Sequence, residues 1–181
     1  MESTKKLKRS ELILPAYFDR YILKADDVPV MECLQISLDE LRSAPWDVWK
    51  SIGDAVYAPG KWTIKELLQH LIDTERIFTY RALAFARGEK SVNSYDEDAY
   101  AAASDPSHRS LDEMMEEAID LRKATIGLFR SFSGAMLEKS GMGFKGEFSV
   151  HSIGYIIGGH QRWHFGVIEE RYRPLYSHHS T

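Results

Sequence analysis

The sequence has almost none of the features that stabilise small secreted proteins or span membranes. Cys33 is its only cysteine, so no disulfide can form within the chain, which fits a reducing cytoplasm. The apolar stretch behind the basic N-terminus is only Leu12 to Leu14, followed by Pro15, which is too short for a signal peptide or a membrane span. We therefore expect a cytoplasmic protein without a membrane partner.

Positive charge is also scarce, since 23 Lys and Arg residues stand against 27 Asp and Glu residues and the net charge is −4. Proteins that bind nucleic acid non-specifically need clustered Lys and Arg to release counterions. The run at residues 5–9 offers such a cluster, and we interpret it as a solvated tail. We expect no nucleic-acid partner.

Apolar residues are plentiful: 44% of the 181 residues are hydrophobic, enough for one domain with a core of its own. We divide the chain into an N-terminal arm over residues 1–27, which carries a short helix packed on the domain, a helical domain over residues 28–174, and a C-terminal tail over residues 175–181. Periodicity and capping residues predict four long helices and no strand. The predicted helices run from near Pro29 to before Pro45, from Thr63 to Gly88, from Ser110 to near Gly134, and from near Ser149 to before Pro174.

About twenty residues rich in Ser, Asn, Asp and Ala connect the second and third predicted helices. A connection of that length can run back along the whole bundle, so the two helices it joins can be parallel. The sequence therefore predicts an all-α four-helix bundle in up-down-down-up order, with a long crossover between the second and third helices.

Three histidines lie on apolar helix faces. On a helical wheel, His160 and His164 fall in the middle of the apolar arc of the fourth predicted helix, and His70 falls within that of the second. His160 and His164 are one turn apart, so their imidazoles can converge on one ion. By contrast, His151 falls on the polar face of its helix, where we expect it to be solvated. His108, in a polar loop, is also expected to be exposed, as are His178 and His179 in the tail.

A lone histidine on an apolar face is usually a core residue with a hydrogen-bond partner, and an HxxxH pair arises easily by chance. Three core-facing histidines on two helices are harder to explain, because each buried imidazole needs a partner. One divalent ion per chain would satisfy all three. We predict a metal site at His70, His160 and His164, with the identity of the ion (Zn, Ni, Fe or Mn) left open.

The motifs around these histidines resemble those of the DinB-like superfamily, and more closely its YfiT-type branch of metal-dependent hydrolases. The resemblance covers roughly residues 28–173. It is carried by the run WTIKELLQHLIDTER from Trp62 to Arg76, by Arg81 and the helix end Ala86-Arg87-Gly88, by IGGHQRWH from Ile157 to His164, and by Glu170-Arg171-Tyr172.

The resemblance implies an up-down-down-up four-helix bundle whose metal ligands fall on His70, His160 and His164. The sequence departs from the family at Trp163, where members often carry a further histidine, but all three ligand positions are kept. Many members are homodimers, so the resemblance also implies a homodimer.

From this site we predict a metal-dependent hydrolase that acts on a small-molecule substrate through metal-bound water. Two alternatives stay open: a metal-dependent S-transferase that uses a low-molecular-weight thiol, as some DinB-like relatives do, and a non-catalytic metal-binding stress-response protein. The transferase would need a basic residue near the open ligand position to hold its anionic thiol. The sequence offers Arg76, Arg81, Arg122 and Arg162.

Asp73 is the candidate catalytic residue, since it lies about one helical turn from His70. Ligand histidines commonly donate their second ring N–H to a carboxylate, and a carboxylate beside a metal can act as a general base. The alternative is that Asp73 pairs with a surface Arg or Lys. Glu66 lies on the same side but already has a role in helix capping.

Overall fold

Helices make up most of the computed structural model, which describes residues 7–143 and 145–176. In chain order they are α1 (Asp19–Ile22), α2 (Val30–Ser43), α3 (Trp46–Ile52), α4 (Ile64–Arg87), α5 (Glu97–Ser104), α6 (Leu111–Ser131), α7 (Gly134–Leu137) and α8 (Val150–Val167), which continues as a π-helical turn over Ile168–Tyr172. A hairpin of β1 (Ser140–Gly143) and β2 (Gly146–Ser149) precedes α8. None of the helices in the described ranges is long and apolar enough to cross a lipid bilayer.

Local sequence sets the ends of the long helices. Thr63 caps α4 by accepting a hydrogen bond from the backbone N–H of Glu66, while the Glu66 side chain accepts one from the backbone N–H of Thr63. Gly88 ends α4 with a φ of 105°, a conformation that glycine adopts without a Cβ clash. Ser110 and Glu113 form the same capping box at the start of α6. The predicted beginnings and the predicted end at Gly88 are confirmed.

The four long helices form a ring in which α2 and α4 each contact both α6 and α8. Helix α4 runs antiparallel to α8, because Trp62 before α4 meets Tyr172 beyond α8 while His70 meets His160 in the middle. Helix α2 runs parallel to α8, and α4 parallel to α6, as shown by the pairs Val30–Gly154, Ser37–Gln161, Lys65–Ser107 and Glu75–Arg122. The predicted up-down-down-up bundle is confirmed.

The N-terminal arm packs along α8. Gly159 lies so close to the arm that a Cβ on it would come within 1.8 Å of the carbonyl oxygen of Tyr21, so this approach requires glycine. The hydroxyl of Tyr155 donates to the carbonyl oxygens of Leu7 and Val28 at 3.1 and 2.8 Å. The short helix predicted in the arm is present as α1. The domain boundaries stay predictions, and the tail histidines His178 and His179 lie outside the described residues.

Two stretches that were predicted as loops have regular structure. The segment before α8 forms the antiparallel hairpin, in which Ser140 pairs with Ser149. Its glycines serve packing, since a Cβ on Gly141 would come within 2.3 Å of the Phe85 ring. Strands of four residues with this much glycine have little intrinsic β propensity, which explains why the pattern predicted no strand. The loop after Pro45 contains α3, which buries its two tryptophans in the core.

A buried ion pair links three of the long helices. Arg122 in α6 donates from Nε and Nη2 to the two carboxylate oxygens of Glu75 in α4, at 2.9 and 3.0 Å, and the two side chains are only 3% and 8% exposed. Thr125 donates to the same carboxylate at 2.7 Å, and Arg122 also donates to the hydroxyl of Ser37 in α2. The charges are therefore paired and hydrogen-bonded inside the bundle, as burial requires.

Candidate metal centre

The three core-facing histidines come together between α4 and α8. Nε2 of His160 lies 3.2 Å from Nε2 of His70 and 3.0 Å from Nε2 of His164. One ligand nitrogen from each ring lies within 4.8 Å of the other two. His160 and His164 share a face of α8 because they are one turn apart, and His70 reaches them from the antiparallel α4. The structure thus brings together the three side chains that the helical wheels singled out.

Hydrogen bonds alone cannot satisfy this cluster. A ring nitrogen carries either a hydrogen or one lone pair, so Nε2 of His160 can make only one well-directed hydrogen bond, although it faces two neighbouring nitrogens. A cation that faces three Nε2 lone pairs removes the conflict. Three nitrogens about 2.0–2.1 Å from a tetrahedral zinc ion would be about 3.4 Å apart, which is close to the 3.2 and 3.0 Å that separate Nε2 of His160 from its two neighbours. The donor set therefore fits a divalent metal.

Burial holds the three imidazoles in the neutral form that binds metals. Desolvation lowers the pKa of His70 to about 4 and the pKa of His164 to about 3. Burial also lowers the pKa of His160 well below its usual 6.5, and the two neighbouring imidazoles add to this effect. Trp62 packs on the ring of His70 and Tyr21 on the ring of His160, each with a centroid distance of 4.9 Å, so both ring orientations are constrained.

Among the described residues, three side chains make up the candidate donor set. Within residues 7–143 and 145–176, no fourth His, Cys, Asp or Glu side chain joins it. Structural zinc sites usually have four protein ligands, whereas catalytic sites have three and keep one position for water or substrate. Within the described ranges, the number of candidate ligands is therefore the one that is typical of catalytic sites.

Two clefts connect the histidines with the surface. The larger has a volume of about 590 Å³ and is lined by His160, Thr74 and Tyr95, among others. The smaller has a volume of about 280 Å³ and is lined by His164. Asp98 lines both clefts, so the first turn of α5 stands between the two entrances. Clefts of a few hundred Å³ are the usual size of small-molecule sites.

The segment that closes the larger cleft was predicted only as a connection. The hydroxyl of Tyr95 lies 2.8 Å from that of Thr74 in α4. Asp96 then caps α5 by accepting hydrogen bonds from two backbone N–H groups of its first turn. The available signal was an N-cap residue followed by two acids, Glu97 and Asp98, in the crossover. This signal predicts a short helix in the crossover. It does not predict that the helix lies beside the clefts that reach the histidines.

Asp73 is oriented toward the surface side of α4. Its side chain is 27% exposed, accepts a hydrogen bond from Gln69 at 2.9 Å and lies 3.7 Å from a guanidinium nitrogen of Arg76. This is the surface pairing that stood as the alternative. No hydrogen bond joins Asp73 to a histidine of the cluster in the described part of the chain, and its catalytic role stays a prediction.

The four candidate arginines differ in their partners. Three of them are paired with carboxylates: Arg76 with Glu117, Arg122 with Glu75, and Arg162 with Asp26 and Glu40. The fourth, Arg81, forms no ion pair with any described residue, and it lines the larger cleft together with His160. Of the four, it is the arginine that is free to meet an anionic ligand near the histidines.

His151 is buried, which corrects the prediction that it is solvated. Its side chain is only 2% exposed. Helix α8 is buried on every side from Val150 to Gln161, because the arm covers the face that the bundle leaves free. A helical wheel cannot show such a cover, since it ranks faces of one helix only. Nε2 of His151 has no hydrogen-bond partner among the described residues, and desolvation lowers the pKa of His151 to about 4.

We expect His151 to make the metal-free protein sensitive to acid. Its folded-state pKa of about 4 lies below the ordinary 6.5, so the unfolded chain takes up the proton first, and stability is lost as the pH falls from 6.5 toward 4. At about 1.4 kcal/mol per pKa unit, the loss approaches about 3 kcal/mol.

The measurement is the free energy of unfolding from urea denaturation at pH 7 and at pH 4.5. The His151→Leu variant should lose less stability over this interval than the wild type. The metal-site histidines titrate in both proteins, so their contribution cancels in the comparison. Equal losses in the two proteins would show that His151 does not stay neutral in the fold.

Comparisons with known proteins agree with this architecture. A family model of the DinB superfamily matches residues 29–168. Among solved structures, YfiT from Bacillus subtilis, described as a probable metal-dependent hydrolase with an unusual four-helix bundle topology, matches with a TM-score of 0.66 and 20% sequence identity, over 91% of each chain. At that identity the likeness shows the fold. A search of curated protein sequences found no match.

Proposed function

Because this chain belongs to the DinB superfamily, we propose that it is a metal-dependent hydrolase of a small molecule, with His70, His160 and His164 as the metal ligands. One observation carries the proposal: three neutral imidazoles converge with no fourth protein ligand in the described ranges, beside a cleft of about 590 Å³. The description of YfiT as a probable metal-dependent hydrolase points in the same direction.

A divalent ion held by the three histidines would polarise a substrate oxygen and lower the pKa of water to about 7. The residues of the larger cleft orient the substrate. Thr74 and Tyr95 line the cleft, and because their hydroxyls are hydrogen-bonded to each other at 2.8 Å, one of the two hydroxyl hydrogens is left to donate to a substrate oxygen. Burial raises the pKa of Tyr95 to about 12, so its hydroxyl stays protonated. Phe78 supplies apolar surface in the same cleft, which helps to exclude water.

A metal-dependent S-transferase that uses a low-molecular-weight thiol is the second candidate. Arg81 favours it, because the transferase needs a cationic group near the open ligand position and this unpaired arginine lines the cleft that reaches His160. A non-catalytic metal-binding stress-response role gains no support from the two clefts, since such a role calls for a closed site.

We also propose a cytoplasmic location and a homodimer with one ion per chain. The location rests on the single cysteine, Cys33, because one cysteine cannot form a disulfide within the chain. Its thiol is buried, and desolvation raises the pKa of this thiol to about 12, so it stays protonated and unreactive. The homodimer rests on the family resemblance. Zinc, nickel, iron and manganese all remain candidates for the ion.

The two catalytic hypotheses are separated by incubating the metal-loaded protein with a panel of esters and amides and, in parallel, with low-molecular-weight thiols and monochlorobimane. We expect hydrolysis without any thiol, lost after chelation and in His164→Ala, and retained in His108→Ala, which changes an exposed histidine. Turnover that requires a thiol would replace the hydrolase with the transferase. No turnover in either arm would contradict both.

A further inference from the structure

Arg81 is a buried cation that forms no ion pair with any described residue. Its side chain is 1% exposed, and no carboxylate among the described residues forms an ion pair with it. One guanidinium nitrogen donates to the backbone carbonyl of Asn93 at 3.2 Å, while Nε has no hydrogen-bond partner in the described part of the chain. Burying an unpaired charge is strongly unfavourable. The buried Arg122, by contrast, has its carboxylate partner, Glu75.

Aromatic rings flank the Arg81 guanidinium. It lies 5.3 Å from the centroid of the Phe78 ring and 5.6 Å from that of Tyr95, so cation–π contacts offset part of the burial cost. Such contacts engage the face of the guanidinium and do not use its N–H donors. All three residues line the larger cleft, which also contains His160. Arg81 thus lines the cleft and has N–H donors that no described residue accepts from.

We propose that Arg81 is the anion-binding residue of this cleft and that it takes the carboxylate of a small molecule whose other end reaches the histidines. The guanidinium fork matches two oxygens of one carboxylate. Three acids, Asp96, Glu97 and Asp98, also line the cleft, and their negative charge repels a group with two or more charges, such as a phosphate, more strongly than a singly charged carboxylate. The inference deepens the proposed function by naming a substrate class, but the binding that it predicts does not depend on hydrolysis.

The test compares phenylacetate with phenylacetamide, which have closely similar shapes and differ in charge. Binding of each is measured by titration calorimetry with the full chain, both metal-loaded and after chelation. We expect the wild type to bind phenylacetate at least ten-fold more tightly than phenylacetamide in both states. Arg81→Met should lose this preference. Arg76→Met is the matched control, because Arg76 lies on the same helix and already pairs with Glu117.

Thermal unfolding supplies a second measurement. Arg81→Met removes an unpaired buried charge, so its melting temperature should equal or exceed that of the wild type, and phenylacetate should raise the melting temperature of the wild type only. Arg81→Lys keeps the charge without the fork and should show a reduced preference for phenylacetate. It also serves as the test variant if Arg81→Met does not fold.

Three results would overturn the proposal: equal affinities of the wild type for the two probes, a preference that stays at the wild-type level in both Arg81 variants, or a preference that disappears on chelation, which would assign it to the ion. Carboxylate preference without hydrolysis would leave the subsite standing and remove the hydrolase. Hydrolysis without a carboxylate preference would support the hydrolase and contradict the subsite at Arg81.

Discussion

Replacing His160 with alanine is expected to abolish tight metal binding while the helical bundle stays folded. The three imidazole rings form a triangle with centroids 5.0, 4.9 and 4.5 Å apart, so the loss of His160 leaves only two ligands, His70 and His164. Sites with two ligands hold first-row ions poorly. The affinity should fall by more than the roughly 10–100-fold that follows removal of an outer hydrogen-bond partner of a ligand.

The same loss is expected for His70→Ala and His164→Ala. The fold should survive each change, because two large apolar clusters hold the helices together without the site, unlike a small zinc module that folds only around its ion. Circular dichroism should stay helical, and added zinc should no longer raise the melting temperature. His108→Ala and His151→Ala should keep the wild-type metal content. If His70→Ala kept its full metal content while His151→Ala lost it, the assignment of His70 as the third ligand would be wrong.

Replacing Glu75 with glutamine is expected to lower the free energy of unfolding by about 3–5 kcal/mol, because Arg122 is then buried without its counter-charge. The pair is 3% and 8% exposed, so water cannot compensate the loss. Urea denaturation monitored by circular dichroism measures the change. This is the largest effect that we expect from a substitution outside the histidine cluster.

Two controls define the origin of that effect. The double variant Glu75→Leu with Arg122→Met should recover most of the lost stability, since an apolar pair of similar volume often replaces a buried ion pair at little cost. Asp120→Asn, which breaks an exposed pair with Lys123, should cost less than about 1 kcal/mol. If Glu75→Gln and Asp120→Asn had equal effects, the buried pair would contribute no more than a surface one.

The sequence predicts those parts of the structure that depend on local rules. The ends of α4 and the start of α6 follow from the residues at Thr63, Gly88 and Ser110. The convergence of His70 with the histidines of α8 follows from apolar periodicity once the helices are paired. The helix ends need only local residues, and the convergence of the histidines needs in addition the pairing of α4 with α8.

The remainder depends on contacts between distant segments. The burial of His151 comes from the arm, and the hairpin depends on Gly141, which fits against the ring of Phe85 in α4. By contrast, the neighbours of Asp73 follow from local spacing, since Gln69 and Arg76 lie four and three residues away on the same helix. Which arginine lacks a carboxylate partner can be determined only once α4 and its neighbours are placed. No periodicity within one helix carries this information.

The most direct test of the metal site is elemental analysis of the wild type and His160→Ala, purified without nickel resin and reconstituted in turn with Zn, Ni, Mn and Fe. We predict about one divalent ion per chain in the wild type, retained through gel filtration, and none in His160→Ala. The absence of stoichiometric metal from the wild type after all four reconstitutions would contradict the assignment of His70, His160 and His164 as a metal site.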